Sequence, residues 1–160
     1  MGLRQLVGHF ARIAAVVGTG LAMVGLGTMP ADAVTKITAY GLHIDRAAPC
    51  TFTVQMAAHL PMDLYDATGY LNNGARIEFR IYGQDTWSND FLYGPVSQGS
   101  VQTHAELNGI HSHALLTLGC STLDEDWKDI DEIYFVARFV DGDGHAIQAS
   151  SPVTRGEYHF

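Results

Sequence analysis

The dominant pattern along the chain is a two-residue alternation of apolar and polar positions, repeated in short runs and broken by turn residues. Residues 76–82 show it most cleanly: Ile77, Phe79 and Ile81 fall on one face, and Arg76, Glu78, Arg80 and Tyr82 on the other. Side chains alternate across a strand, so this run predicts a strand with one buried and one solvated face. Residues 34–45 predict a first strand with Ile37, Ala39 and Gly41 sharing a face, and residues 50–56 a second. Residues 91–96 predict a short strand. Residues 101–107 and 111–120 predict a hairpin joined by Asn108-Gly109, a pair that accepts the positive φ of a type I′ turn. In residues 132–140, Ile133, Phe135, Ala137 and Phe139 share a face. Asp141-Gly142-Asp143-Gly144 then turns the chain into residues 145–149, and the tail, residues 153–160, is expected as an edge strand. Residues 57–73 carry no clear period. Pro61 could open a short helix over residues 62–67, but Tyr70-Leu71 fits a strand end equally well, and the stretch reads as loop plus a short irregular element.

Seven or eight short strands without a long amphipathic helix predict an all-β fold, an antiparallel β-sandwich, with a small β-barrel as the alternative. The N-terminus changes the length available for it. Arg4 and Arg12 precede or begin an uncharged, largely apolar stretch, residues 13–26, and Ala31-Asp32-Ala33 has the small-x-small form that signal peptidase accepts. Residues 1–33 therefore read as a secretory signal, with no transmembrane anchor left after cleavage. Residues 34–160 are then a single secreted domain of 127 residues, long enough for one core.

Without Arg4, Arg12 and Asp32 the chain keeps 7 basic and 16 acidic residues, a formal charge of −9. That balance argues against nucleic acid as a partner, because phosphate contacts need Lys and Arg. It also keeps an exported protein soluble. Cys50 and Cys120 are the only cysteines, and in an exported chain an even pair predicts one disulfide. Closing a loop of about 70 residues contributes roughly 4 kcal/mol in the chain-entropy model.

Two acidic, Trp-bearing stretches carry the candidate chemistry. Residues 124–132 hold six carboxylates (Asp124, Glu125, Asp126, Asp129, Asp131 and Glu132) against the single cation Lys128. Residues 84–95, QDTWSNDFLYGP, repeat the grammar on a smaller scale. Carboxylates crowded this closely repel unless they point outward into water or share a cation, and Ca²⁺ takes its six to eight oxygens from such groups. Residues 80–96, RIYGQDTWSNDFLYGPV, resemble the third calcium loop of C2 domains, and residues 126–136, DWKDIDEIYFV, resemble the first. The resemblance implies Asp85, Asp90, Asp126 and Asp131 as ligands of a calcium ion. It covers about 28 residues and departs from the family in three ways: Gly83 stands where the first Asp of the third-loop pair belongs, Tyr93 is inserted before Gly94, and the loops come in reverse chain order. What it implies is thus a sandwich with analogous acidic loops at one end.

Trp87, Trp127, Tyr93 and Tyr134 are the candidate ligand-contacting aromatics for an extracellular carbohydrate or protein, with or without calcium; the alternative for the Trp pair is to cover the end of the sandwich. His111 and His113 share a strand face and could hold zinc or copper if His104 joined them across the hairpin, or could simply be solvated. Catalytic motifs are missing: the sequence has no G-x-S-x-G elbow and no H-E-x-x-H helix. A small hydrolase built on paired carboxylates needs an apolar cleft that a chain of this size has little room to wall. The expected function is a non-catalytic binding domain, calcium-assisted through the acidic loops.

Overall fold

The computed structural model describes residues 36–84, 88–124 and 130–158; the expected signal segment, and with it the 1–33 boundary, lies outside them. Among the described residues, nine strands and two short helices follow in order: β1 (Thr38–Ala48), β2 (Thr51–Pro61), α1 (Leu64–Asn72), β3 (Arg76–Gln84), β4 (Asn89–Val96), β5 (Val101–Glu106), β6 (Gly109–Gly119), α2 (Cys120–Leu123), β7 (Asp131–Val140), β8 (Ala146–Ser150) and β9 (Thr154–Gly156). They form two antiparallel sheets, β1-β2-β6-β5 and β4-β3-β7-β8, with β9 also paired to β7. This is the two-sheet Greek-key strand order of immunoglobulin-type sandwiches. Two separate sheets, rather than one closed sheet, decide for the sandwich over the barrel.

The inward positions of both sheets meet in one core. Phe52, Val54, Met56 and Leu60 of β2, Ile110 and Leu116 of β6, Ile77, Phe79 and Ile81 of β3, and Ile133, Phe135 and Phe139 of β7 all belong to it. At about 25 cal/mol per Å² of apolar surface removed from water, side chains of this size contribute roughly 1.5–3 kcal/mol each.

Several local expectations are corrected by tertiary contacts. Ile37 and Ala39 are buried as the alternation predicts, but Gly41 is not part of that face. It has φ +67° and lies in a register shift between Tyr40 and His43, and the extra residue turns Leu42 and Ile44 toward the core instead. The irregular stretch holds a true helix, α1. Asp63 caps it by accepting the Asp66 N–H at 2.8 Å, Ala67 is fully buried, and Tyr70 meets Phe139 edge-on at 5.5 Å. The β5–β6 turn is Leu107-Asn108, one residue before the expected pair, because Glu106 already faces Gly109. Gly109 opens β6 with φ +141°, where a Cβ would collide with the Leu60 carbonyl. Glu78, expected on the solvated face, is only 6% exposed.

Cys50 and Cys120 form the predicted disulfide, with a Cα–Cα distance of 4.8 Å. Cys50 lies in the turn before β2 and Cys120 opens α2, so the bridge clamps the end of the β2–β6 pair, where Thr51 faces Gly119. α2 then drops Leu123 into the core.

Where the sheet ladder is interrupted, a side chain completes it. Ser150 pairs with Val136 and Thr154 with Ile133, which leaves one residue more on the β8–β9 side than on β7. Ser151 sits at this bulge: its N–H donates to the Phe135 carbonyl at 2.8 Å, and its Oγ accepts the Phe135 N–H at 3.0 Å. Pro152, which follows, has no N–H to offer. Among the described residues, no helix is long and apolar enough to cross a membrane.

Candidate functional site

The first acidic loop leaves β3 and re-enters β4 at the same end of the five-stranded sheet at which the second, which follows α2, delivers the chain into β7. Gly83, near the end of β3, faces Asp90 of β4 on one side and Ile133 of β7 on the other. Neighbouring strands lie about 4.8 Å apart, so the roots of both loops fall within roughly 10 Å across the sheet. Antiparallel pairing of β3 with both neighbours is the cause: the chain leaves β3, re-enters β4 and enters β7 at one end. Asp85, Trp87, Asp126 and Trp127 lie outside the described residues.

The described members of the predicted set divide by burial. Asp90 is exposed at the start of β4. Asp131 opens β7 fully buried, faces Gly156 of β9, and accepts the Tyr158 N–H at 3.3 Å. It thereby ties the C-terminal segment to the sheet. Tyr158 in turn packs edge-on against Phe52 at 5.2 Å, and burial, with the Asp131 carboxylate adding to it, pushes its phenol above the ordinary value. Near this end, Oδ1 of Asp124, just after α2, is buried and has no hydrogen-bond partner among the described residues. An unpartnered acceptor oxygen of this kind fits a hard cation, which takes carboxylate oxygens as ligands.

The aromatic residues form a row across three strands. Tyr82 is in register with Phe91 and Tyr134. Tyr82 and Tyr134 stack at 5.4 Å and 16°, and Phe91 meets Tyr82 at 5.7 Å and 69°. Phe91 is 55% exposed and Tyr93, beside it on β4, 39%. The stack covers one face of Tyr82 and one of Tyr134, and the Phe91 ring beside it is more than half exposed. The sequence pointed to Tyr93 and Tyr134; Phe91 and Tyr82 join them only through strand register.

Behind this row on the same outer face lies a charged cluster that the alternation pattern assigned simply to solvent. Glu78 Oε1 accepts from Arg76, Nε at 3.0 Å and Nη2 at 2.7 Å. Its Oε2 lies 3.9 Å from Arg80 Nη2 and 3.6 Å from Arg138 Nη1, beyond hydrogen-bond length.

The other sheet carries a row of histidines on its outer face. His111 is in register with His59 of β2 and His104 of β5, and the rings lie 4.3 and 6.1 Å from it. His113 lies 6.2 Å from His104. The Nε2 atoms already have oxygen partners: His59 on the Asn108 carbonyl at 3.0 Å, His111 on Asn108 Oδ1 at 2.9 Å, and His104 on Glu106 at 2.8 Å. Burial first, and repulsion from His59, His104 and His113 after it, hold His111 below its ordinary pKa, with Glu106 opposing. Among the described residues, no three His, Cys, Asp or Glu side chains are disposed to hold a metal ion. His59 escaped the sequence reading because 52 residues separate it from His111, and only the β2–β6 register brings them together.

No family model matches the chain, and no curated protein sequence matches it.

Proposed function

We propose that the protein is a small exported, non-catalytic domain that binds a protein partner at one end of its five-stranded sheet. The observation that carries this reading is the shared root of the two Trp-bearing loops around Gly83, with the Phe91–Tyr82–Tyr134 row running directly into it. Tyr, Phe and Trp are enriched at the centres of protein interfaces. A carbohydrate reading is less favoured, because the Tyr82–Tyr134 stack takes up one face of each ring and the exposed Phe91 has no polar group to meet sugar hydroxyls. The disulfide supports export to an oxidising compartment.

Selection of a random-peptide display library against the mature domain tests the proposal. Enriched peptides are expected to bind at least 10-fold more weakly to Phe91→Ala and to Trp87→Ala, a loss typical of interface anchors. Failure to enrich any peptide, or binding indifferent to both substitutions, overturns it.

Calcium assistance is the second reading, favoured by the unpartnered Asp124 Oδ1. Extracellular calcium modules bind with dissociation constants of about 0.1–1 mM. Ligand at ten times its dissociation constant stabilises the folded state by about 1.4 kcal/mol. Calcium at 10 mM should therefore raise the melting temperature of the wild type by several degrees and leave Asp124→Ala unmoved. An unchanged wild-type transition removes calcium from the proposal.

A further inference from the structure

Arg76, Arg80 and Arg138 supply three of the seven basic residues of the mature chain, and all three surround Glu78 on the outer face of the five-stranded sheet. Their situations differ. Arg76 is the hydrogen-bonded partner of Glu78. Arg80 and Arg138 only border the far oxygen of the same carboxylate, at 3.9 and 3.6 Å. Glu78 is 8% exposed at its side chain and Arg80 and Arg138 34% and 35%, so the carboxylate is covered while both arginine side chains reach solvent. Arg80 Nε is buried and has no hydrogen-bond partner. Gly94 of β4 packs against the Arg80 stem, where even a Cβ would come within 3.5 Å of Cγ and would clash with the Phe79 carbonyl at 2.6 Å. One acid among three guanidinium groups leaves two positive charges unbalanced at this point of an otherwise acidic chain.

We propose that Arg80 and Arg138 together receive a carboxylate from an acidic segment of the protein partner. A guanidinium presents its donors as a planar fork that matches a carboxylate, and two such forks beside one anchored acid form a ready receptor for a second. The neighbouring Tyr82 and Tyr134, two residues along β3 and two residues before Val136 in β7, give the same segment an aromatic border. Asp90, the described acid at the root of the first loop, faces Gly83, three residues from Arg80 and about 10 Å along the strand, which exceeds the Debye length of about 8 Å at physiological ionic strength. This inference rests on the binding-domain reading and names the chemistry of its partner.

The probe is hexaglutamate, titrated into the mature domain and followed by NMR of backbone amides and arginine Nε–H groups. The expected result is saturable binding that shifts the Arg80 Nε–H and the amides around Tyr82, weakened at least 10-fold in Arg80→Gln and in Arg138→Gln. Arg155→Gln, at the exposed pair with Glu132, should leave it unchanged. Arg80→Lys keeps the charge without the fork, and should recover only part of the affinity. Wild-type shifts make the test independent of whether a variant folds. Absence of binding to wild type, or equal binding to Arg80→Gln and wild type, overturns the inference. So does binding of a sulphated oligosaccharide or inorganic phosphate in the absence of hexaglutamate binding. Display peptides that lack acidic residues and ignore Arg80→Gln would sink this inference while leaving the binding-domain reading intact.

Discussion

Replacing Ser151 by Ala removes one hydroxyl and tests how the five-stranded sheet is held at the bulge between β8 and β9. In the wild type Oγ accepts the Phe135 N–H at 3.0 Å and donates to the Pro152 carbonyl at 2.9 Å. Phe135 is fully buried and Ser151 is 8% exposed, so water cannot readily replace the lost acceptor. A buried donor left without a partner costs about 1–3 kcal/mol. The Pro152 carbonyl is only part-buried at this bond and can turn to solvent, so the expected loss is about 2 kcal/mol, nearly all from the Phe135 N–H. For a domain of this length that is a fall of roughly 6–8 °C in melting temperature. Thermal unfolding of residues 34–160 measures it, and amide exchange localises it: the Phe135 N–H should lose more protection than the Ile77 N–H across the sheet. A melting temperature within 1 °C of wild type, with Phe135 still protected, would refute the claim that this hydroxyl completes the ladder. The consequence reaches the candidate site, because the bulge sets how β9 lies against Asp131, the root of the larger acidic loop.

Asp131→Ala should lower stability by about 1–3 kcal/mol in calcium-free buffer, since it strands the buried Tyr158 N–H; an effect seen only with calcium present would make Asp131 a ligand rather than an anchor. Gly109→Ala should cost at least about 1 kcal/mol, because φ +141° disfavours any Cβ and this one meets the Leu60 carbonyl; a neutral result in urea denaturation would contradict the close approach. His111 is held below its ordinary pKa of 6.5. The unfolded chain therefore binds the proton more readily, and the His111 contribution is present above that value and lost as pH falls below it. The melting temperature should drop between pH 7.5 and 5.5, and His111→Gln should flatten the drop; equal slopes in both proteins would count against it.

The alternation made much of the scaffold legible. Ile77, Phe79 and Ile81, and Ile133, Phe135, Ala137 and Phe139, are buried as their spacing predicts, and the disulfide forms between the chain's two cysteines as their count predicts. Periodicity misled where a single backbone event changes the phase. The bulge at Gly41 exchanged the faces of β1, and α1 formed because Asp63 caps it and Tyr70 finds Phe139, a residue 69 positions away. Glu78 looked solvated for a related reason: a period of two assigns a face, and only the Arg138 brought in by β7 shows what covers that face.

The sequence by itself determined most of the strands, the all-β class, the disulfide and the presence of two acidic Trp stretches, because all of these rest on local spacing or on a simple count, while the choice of sandwich over barrel waited for the two separate sheets. The tertiary structure alone decided that the two stretches root side by side at Gly83, and that Tyr134 joins Tyr82 and Phe91. It alone placed Asp131 beneath the surface as an anchor and brought Arg80 and Arg138 beside the buried Glu78. The physical reason is that strand pairing joins residues distant in sequence through backbone hydrogen bonds. Their register depends on the whole sheet, so no single stretch of the chain contains it.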